Sequence, residues 1–138
     1  MTGTLPDVLA RIVEHKRTES VFPAERLRTL ELEAEARLPG RRDFRAALTA
    51  NPPAVIAEFK KASPSKGLFA PGSDPATVAR AYEAGGAAAM SVLTDARFFQ
   101  GSFADLEAAR AACGIPILRK DVTLEEAHVI EAAAHGAD

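Results

Sequence analysis

Residues 88–120 read AAMSVLTDARFFQGSFADLEAARAACGIPILRK, and this stretch decides the fold class. It begins with an apolar run of strand length and then passes through a polar loop. A helix pattern follows, with Ser102 at its N-cap and Gly114 after its last turn, and a second apolar run continues from Ile115 to Lys120. Two strand patterns separated by one helix predict parallel strands joined by a right-handed crossover.

The same unit of strand, loop and helix is repeated along residues 54–138, which predicts an α/β fold with a parallel sheet. A capping-box pattern, Thr123-Leu124-Glu125-Glu126, opens the last helix. Residues 136–138 follow this helix at the place where a fourth strand is expected, so we expect the chain to be cut short. The strand patterns lie at 54–60, 88–93 and 115–120, and the helix patterns lie at 73–86, 102–114 and 123–136.

Residues 1–53 follow a different pattern and predict an amino-terminal helical extension. Thr4 is a candidate N-cap for the first helix, and Pro6 lies in its first turn. Asn51-Pro52-Pro53 ends the helical segment. The predicted boundaries are therefore 1–53 for the helices and 54–138 for the βα units. The helix patterns of the extension lie at 5–20, at 23–40 and around Phe44 and Leu48.

The composition excludes several classes of function. Seventeen Lys and Arg against nineteen Asp and Glu give a formal charge of -2, so no excess of positive charge draws the chain to nucleic acid or to an anionic membrane. No apolar run approaches the roughly 20 residues of a membrane span, and the first helix pattern lacks the apolar segment of a signal peptide. Cys113, the only cysteine, excludes an intrachain disulfide and suits a reducing compartment, so we expect a cytoplasmic protein.

Charged residues end the first and third strand patterns at equivalent places. Alternation along a strand puts Glu58 and Lys60 on one face with Ile56, and it puts Lys120 on one face with Leu118. Lys60 and Lys120 therefore lie at the carboxyl ends of parallel strands, where α/β proteins form their active sites. An active site would explain these two lysines, but lysines that are merely solvated beside the loops would explain them about equally well.

The loop after the first strand is basic. Residues 60–67, KKASPSKG, concentrate three lysines and two hydroxyls beside a strand end, which suits an anionic group such as phosphate. The glycine-rich half of a Walker motif is missing. An exposed basic loop that binds nothing explains the same residues at least as well.

The remaining candidate residues predict little chemistry. His15, His128 and His135 are interpreted as surface histidines, since His128 and His135 lie two helical turns apart and are too distant for one metal ion. Cys113 is expected to be a small buried side chain rather than a nucleophile. A solvated helix face accounts for the charged run Glu31, Glu33, Glu35 and Arg37.

Four blocks of sequence resemble, in order and spacing, the indole-3-glycerol phosphate synthase family. The resemblance runs over essentially the whole chain, including the helices before the first strand. A full βα barrel needs roughly 250 residues. The resemblance therefore implies a partial TIM-type barrel, with the leading helices and three βα units of the family. The blocks are IAEFKKASPSKG at 56–67, SVLTD at 91–95, FFQGS at 98–102 and PILRKD at 116–121.

The resemblance implies a carbon-carbon lyase of tryptophan biosynthesis that acts on 1-(2-carboxyphenylamino)-1-deoxyribulose 5-phosphate. Ring closure would release carbon dioxide and water, with no cofactor and no metal. The partner would be this phosphorylated small molecule, without nucleic acid or membrane.

By position, the resemblance also implies site residues. Lys120 matches the general acid on the third strand, which protonates the carbonyl oxygen of the substrate as the aryl ring attacks. Lys60 matches a first-strand lysine that contacts the anionic groups of the substrate and assists proton transfer, and Glu58 matches the carboxylate that holds this arrangement. Ser63 and Phe99 match loop positions that line the substrate site.

Val122 departs from the family pattern, because the family usually has Phe after the Lys-Asp pair. This change is expected to weaken aromatic packing against the anthranilate ring. The family's catalytic base on the fourth strand and most of its phosphate cradle lie beyond the three units. Two other interpretations therefore stay open, a catalytically inactive fragment that needs a complementary half and another phosphate-handling barrel. We also expect the isolated chain to self-associate through open strand edges.

Overall fold

The helices and strands follow the predicted order. A computed structural model describes residues 7–68 and 70–138 of the chain. The predicted N-cap Thr4 and the first-turn Pro6 lie outside these residues. The elements, in chain order, are α1 (Asp7–Glu19), α2 (Ala24–Arg37), a 3-10 turn (Leu38–Gly40), α3 (Phe44–Ala50), β1 (Ile56–Phe59), β2 (Ala62–Ser63), β3 (Gly67–Leu68), α4 (Pro75–Ala84), β4 (Ala89–Leu93), α5 (Ala96–Phe99), α6 (Phe103–Ala112), β5 (Ile117–Lys120) and α7 (Glu126–Ala134).

The sheet consists of β1, β4 and β5, which run parallel with β4 in the centre. Helix α4 connects β1 to β4, and α6 connects β4 to β5. In register, Ser91 of β4 lies between Glu58 of β1 and Leu118 of β5, and Leu93 lies beside Lys120. The predicted α/β fold with parallel strands is confirmed, and the arrangement is that of a partial barrel.

The core lies between one face of the sheet and the helices α4 and α6. Alternation along the strands sends Phe59, Val92 and Ile117 to this face, whereas Ile56 and Leu118 point to the opposite face and are 43% and 42% exposed. Full burial of each large apolar side chain stabilises the fold by about 1.5–3 kcal/mol. The main buried residues of this layer are Phe59, Ala79, Met90, Val92, Leu106, Ala109, Cys113 and Ile117.

The N-terminal helices cover the outside and one end of this unit. Helix α2 packs against α7 and buries Leu30, while its charged run stays exposed as predicted. Helix α1 lies across the carboxyl ends of β4 and β5, where Lys16 reaches Asp95 and Asp121. Within the described ranges, no helix is long and apolar enough to span a membrane.

A short hairpin and a single helical turn interrupt segments that the sequence predicts as loops. The strands β2 and β3 form an antiparallel hairpin after β1, and α5 is a single turn after β4. Asp95 starts α5 by accepting a hydrogen bond from the backbone N–H of Phe98 at 2.7 Å. Elements this short carry no periodic hydrophobic pattern, so the prediction missed both.

The N-terminal cap of α7 is formed by different residues from the predicted ones. The helix begins after Glu125, and Nδ1 of His128 accepts hydrogen bonds from the backbone N–H groups of Leu124 at 3.0 Å and Glu125 at 3.3 Å. The predicted capping box at Thr123–Glu126 is therefore wrong by two residues, because a histidine supplies the reciprocal acceptor in place of the Glu126 carboxylate.

His128 is also buried, at 2% exposure, which contradicts its interpretation as a surface histidine. Burial, followed by the nearby charge of Arg119, lowers the pKa of His128. His15 and His135 are half-buried against aromatic rings. Cys113 is buried, as predicted.

Candidate active site

Glu58 and Lys60 lie together at the carboxyl end of β1. The Nζ atom of Lys60 lies 3.3 Å from Oε1 of Glu58, and the two side chains are 36% and 34% exposed. The hydroxyl of Ser91 on β4 donates a hydrogen bond to Oε2 of Glu58 at 3.4 Å. The carboxylate is thus held from two sides while the pair stays accessible to a ligand.

Lys120 ends β5 on the same face of the sheet, beside Leu93 of the central strand. Its side chain is exposed, and its ammonium group forms no ion pair with any described residue. The structure therefore brings Lys120, Lys60 and Glu58 to one open face, on two strands separated by β4. In residues 7–68 and 70–138, no group of His, Cys, Asp and Glu side chains is arranged to hold a metal ion.

The basic loop after β1 folds back as the β2–β3 hairpin. Lys61 forms an ion pair with Asp105 of α6 at 2.6 Å, so this lysine anchors the hairpin. The Ser63 hydroxyl accepts a hydrogen bond from the backbone N–H of Lys66 at 3.3 Å and lies 3.4 Å from the Ser65 hydroxyl. Of the three lysines in this loop, Lys61 has a structural partner, whereas Lys66 is exposed at the turn.

The hairpin packs against α5, which brings the segments of Ser63 and Phe99 together. A cavity of about 330 Å³ lies at this contact, and Ser63, Arg11, Arg97 and Phe98 are among its lining residues. Phe98 faces this cavity, and Phe99, the predicted lining residue of the substrate site, is half-buried on the same turn.

The connection from α5 to α6 runs tightly against β4. Gln100 adopts a left-handed backbone with φ of 52°. A Cβ atom at Gly101 would collide with the backbone oxygen of Leu93, so only glycine fits there. Ser102 then caps α6 by accepting a hydrogen bond from the backbone N–H of Asp105 at 3.0 Å, as predicted.

A second group of charges, which no sequence pattern predicted, lies beside Lys120. Lys16 of α1 is 4% exposed, and its Nζ lies 3.1 Å from Oδ1 of Asp121 and 3.5 Å from Oδ2 of Asp95. The Thr94 hydroxyl donates a hydrogen bond to Oδ2 of Asp121 at 2.7 Å. We call Lys16, Thr94, Asp95 and Asp121 the buried ion cluster.

Mutual pairing keeps Lys16 and Asp121 charged within the buried ion cluster. Burial opposes the charge on Lys16, but Asp121 and then Glu19 outweigh it and raise the pKa of this lysine. Burial likewise opposes the charge on Asp121, but the hydrogen bond from Thr94 and the charge of Lys16 lower the pKa of this carboxyl. Loss of one partner would leave a buried charge without compensation, which typically costs about 3–5 kcal/mol.

Arg119 extends the buried ion cluster toward α7. Its Nε donates to the Thr94 hydroxyl at 3.1 Å, and its guanidinium reaches Asp121 at 3.3 Å and Glu131 of α7 at 3.2 Å. A cavity of about 440 Å³ adjoins these residues and Lys16. Strand alternation explains why Arg119 points to the helices while its neighbour Lys120 points to the open face.

The sequence contains one signal for this cluster. Lys16 falls on the apolar stripe of α1, four residues after Ile12 and three after Val13. A lysine in such a stripe needs a buried partner. Its partner Asp121 lies 105 residues away along the chain, so the sequence pattern does not identify it.

One protein family matches the chain along nearly all of its length. A family model for indole-3-glycerol phosphate synthase matches residues 9–138. The indole-3-glycerol phosphate synthase of Burkholderia multivorans (strain ATCC 17616 / 249) is 51% identical over 140 residues, which cover 97% of this chain and 53% of that protein. Proteins of the same name from Azoarcus sp. (strain BH72) and Burkholderia vietnamiensis (strain G4 / LMG 22486) are 50% identical with the same coverage. The chain spans about half the length of the curated relatives it matches.

Proposed function

The chain belongs to the indole-3-glycerol phosphate synthase family, and we propose that it forms the leading part of an enzyme that makes indole-3-glycerol phosphate. The proposed substrate is 1-(2-carboxyphenylamino)-1-deoxyribulose 5-phosphate, and ring closure releases carbon dioxide and water. In this proposal residues 1–53 are the helical extension and residues 54–138 are the first three βα units of the barrel. The proposed location is the cytoplasm, which agrees with a single, buried cysteine.

The geometry of Glu58, Lys60 and Lys120 carries the proposal. These side chains share one face at the carboxyl ends of two strands, where barrels form their active sites. Two ammonium groups and one carboxylate leave a net positive charge on this face. A substrate with a phosphate and a carboxylate is attracted by that charge, so binding and proton donation use one site.

Lys120 is the proposed general acid. It donates a proton to the carbonyl oxygen of the substrate as the aryl carbon attacks, so the developing negative charge on that oxygen is neutralised. The exposed ammonium of Lys120 has no carboxylate partner within the part of the chain that the structure describes, so its proton can be donated to a ligand.

Lys60 and Glu58 are proposed to act as a pair. The Lys60 ammonium binds the anionic groups of the substrate and assists proton transfer, while Glu58, held by Ser91, orients that ammonium. Ser63 on the hairpin and Phe99 on α5 are the proposed lining residues. The contact between these two elements supports a common role at the mouth of the site.

The open face of the sheet supports a second candidate. Ile56 and Leu118 are exposed there, and among the described residues β1 and β5 each pair with one strand only. A surface of this kind fits a chain that is catalytically inactive until a complementary half of the barrel covers it.

The test joins the chain, unchanged, to the second half of the Burkholderia multivorans relative, and we call this protein the completed barrel. Circular dichroism verifies its folding, and the intact relative is the positive control. Indole absorbance then follows product formation from the proposed substrate. We expect turnover by the completed barrel and none by the chain alone. A folded completed barrel that leaves the substrate unchanged contradicts the proposed function, and turnover by the isolated chain contradicts the second candidate.

A further inference from the structure

We propose that Lys16 is a positioning residue of the active site, because it binds the residues that follow β4 and β5 and thereby fixes the position of Lys120 and of the α5 turn. The inference rests on the proposed function, since it gives Lys16 a role in that reaction. Lys16 lies on α1, outside the βα units, and its ammonium touches none of the proposed catalytic side chains. Its effect on the reaction is therefore indirect.

The first link runs through Asp121, which follows Lys120 directly. Its side chain is 1% exposed, and both carboxylate oxygens have partners. Oδ1 lies 3.1 Å from Nζ of Lys16 and accepts a hydrogen bond from the backbone N–H of Val122 at 2.7 Å. Oδ2 accepts a hydrogen bond from the Thr94 hydroxyl at 2.7 Å. The backbone N–H of Thr94 also donates to the carbonyl oxygen of Lys120 at 3.2 Å. The backbone that bears the Lys120 side chain is thus fixed from both sides.

The second link runs through Asp95, which follows β4. Its Oδ1 accepts the hydrogen bond that starts α5, and its backbone oxygen accepts a hydrogen bond from Gly101 N–H at 2.8 Å. Its Oδ2 is buried and makes no hydrogen bond with any described residue, so Lys16 at 3.5 Å is its compensating charge. The orientation of α5, which carries Phe99, therefore depends on the same ammonium group.

The buried ion cluster is better suited to fixing the positions of its members than to raising the free energy of unfolding. A buried ion pair is often no more stabilising than apolar residues of similar volume, because two charges must lose their hydration. It does impose one arrangement on its partners, since each donor and acceptor must be satisfied. A displacement of a catalytic group by 1 Å can cost on the order of 100-fold in rate. The strand ends held by Lys16 are the places where such a displacement would matter.

The experiment compares three variants in the completed barrel. Lys16→Met removes the charge and keeps much of the side-chain volume, Lys16→Arg keeps the charge, and Arg17→Met is the matched control on the exposed side of α1. Asp121→Asn keeps the side-chain shape and replaces Lys16→Met as the decisive variant if the latter does not fold. For each protein, kcat, KM, the melting temperature and amide hydrogen exchange are measured.

We expect Lys16→Met or Asp121→Asn to lower kcat by about 10- to 100-fold, with a smaller change in KM. Lys16→Arg is expected to recover most of the turnover, and Arg17→Met to resemble the unmodified protein. Amide exchange should accelerate at residues 94–99 and 119–122 but not at residues 90–92 within β4. A variant that melts at a lower temperature with unchanged kcat would overturn the positioning role.

Failure of this inference and failure of the proposed function give different results. If the completed barrel is folded but inactive, the proposed function fails, and amide exchange alone decides on Lys16. Selective acceleration at residues 94–99 and 119–122 then supports the positioning role. Unchanged exchange, or the same acceleration along the whole chain, overturns it.

Discussion

Lys60 follows β1 and Lys120 ends β5 on the same face of the sheet, but the surroundings of the two side chains differ. Lys60 is paired with Glu58, whereas Lys120 has no carboxylate partner among the residues that the structure describes. A paired ammonium is well placed to bind an anion in the ground state, and an unpaired one can give its proton to a reacting oxygen. The two lysines are therefore expected to differ in their kinetic roles.

Replacement of Lys120 by alanine tests the acid role. In the completed barrel we expect kcat to fall by about 100- to 10,000-fold, the usual contribution of general acid catalysis. KM should change little, because proton donation matters in the transition state while binding is shared with Lys60 and the hairpin. Steady-state kinetics measure both constants.

Lys60→Ala is the matched comparison for this prediction. It should raise KM as well as lower kcat, since in the proposed mechanism Lys60 binds the anionic substrate before the reaction begins. An unchanged kcat for Lys120→Ala would rule out the acid role. An effect of Lys60→Ala on kcat alone would contradict the proposed division between the two lysines.

His128 gives a prediction about pH at the same scale. Its Nδ1 accepts two backbone hydrogen bonds at the start of α7, which a protonated ring cannot do, and burial lowers its pKa. In the unfolded chain a histidine binds a proton near pH 6.5, so below about this pH the unfolded state binds more protons than the folded state. The free energy of unfolding should therefore fall as the pH drops from about 6.5 toward the lowered pKa of the folded state.

Urea unfolding of the completed barrel between about pH 7.5 and pH 5 measures this effect. We expect His128→Gln to be less stable near neutral pH but to show a weaker dependence on pH. Val129→Gln, a variant of an exposed residue of α7 that removes no titratable group, is the control and should keep the dependence of the unmodified protein. Equal pH dependence in all three proteins would contradict the role of His128.

At the scale of elements, the β2–β3 hairpin and α5 carry the proposed lining residues of the site. The ion pair of Lys61 with Asp105 anchors the β2–β3 hairpin to α6. Asp95 and the close approach of Gly101 to β4 anchor α5. Neither element is long enough to be stable by itself. Their positions, and therefore those of Ser63 and Phe99, follow from contacts with the rest of the molecule.

Gly101→Ala tests the dependence of this connection on close packing. The added Cβ would strike the backbone of Leu93, which cannot move without disturbing the central strand. We expect a loss of about 1–3 kcal/mol in the free energy of unfolding of the completed barrel, the usual cost of overpacking. Gly40→Ala is the control, because a Cβ there meets no atom within 4 Å. Equal stability of the two variants in urea would contradict the prediction, because it would show that the loop accommodates the added Cβ without a loss in the free energy of unfolding.

At the scale of the whole molecule, the open face of the sheet governs how the isolated chain behaves. Ile56 and Leu118 expose apolar surface on this face, and β1 and β5 present edges that can pair with another strand. Water can satisfy exposed backbone groups, but exposed apolar surface favours association. The completed barrel should lack this tendency, because its further strands cover the face.

We therefore predict that the isolated chain forms oligomers or aggregates, or is partly molten, and does not catalyse the reaction. Light scattering on the purified chain measures association, and near-ultraviolet circular dichroism reports on side-chain packing. Leu118→Lys should reduce association, whereas the exposed control Val129→Lys on α7 should not. A well-packed monomer with indole-forming activity would refute the prediction.

The sequence by itself determined the order of the main strands and helices, the fold class and the two faces of each main strand. These features depend on local spacing, since alternation sends Ile117 and Leu118 to opposite faces whatever the rest of the chain does. Gly and Pro likewise mark the ends of helices, as at Pro39 and Gly114. The strand-end positions of Lys60 and Lys120 follow from the same local pattern.

Only the tertiary structure decided which distant residues become partners. The pairing of Lys16 with Asp121, the burial of His128 and the placement of α5 each depend on chain segments that no short pattern relates. A buried charge requires a partner, but the sequence leaves open which of nineteen carboxylates supplies it. Among the described residues, the carboxylates within reach of the Lys16 ammonium are Glu19 of α1 itself and two distant ones, Asp95 and Asp121, because packing places the ends of β4 and β5 against the stripe of α1 that Lys16 occupies.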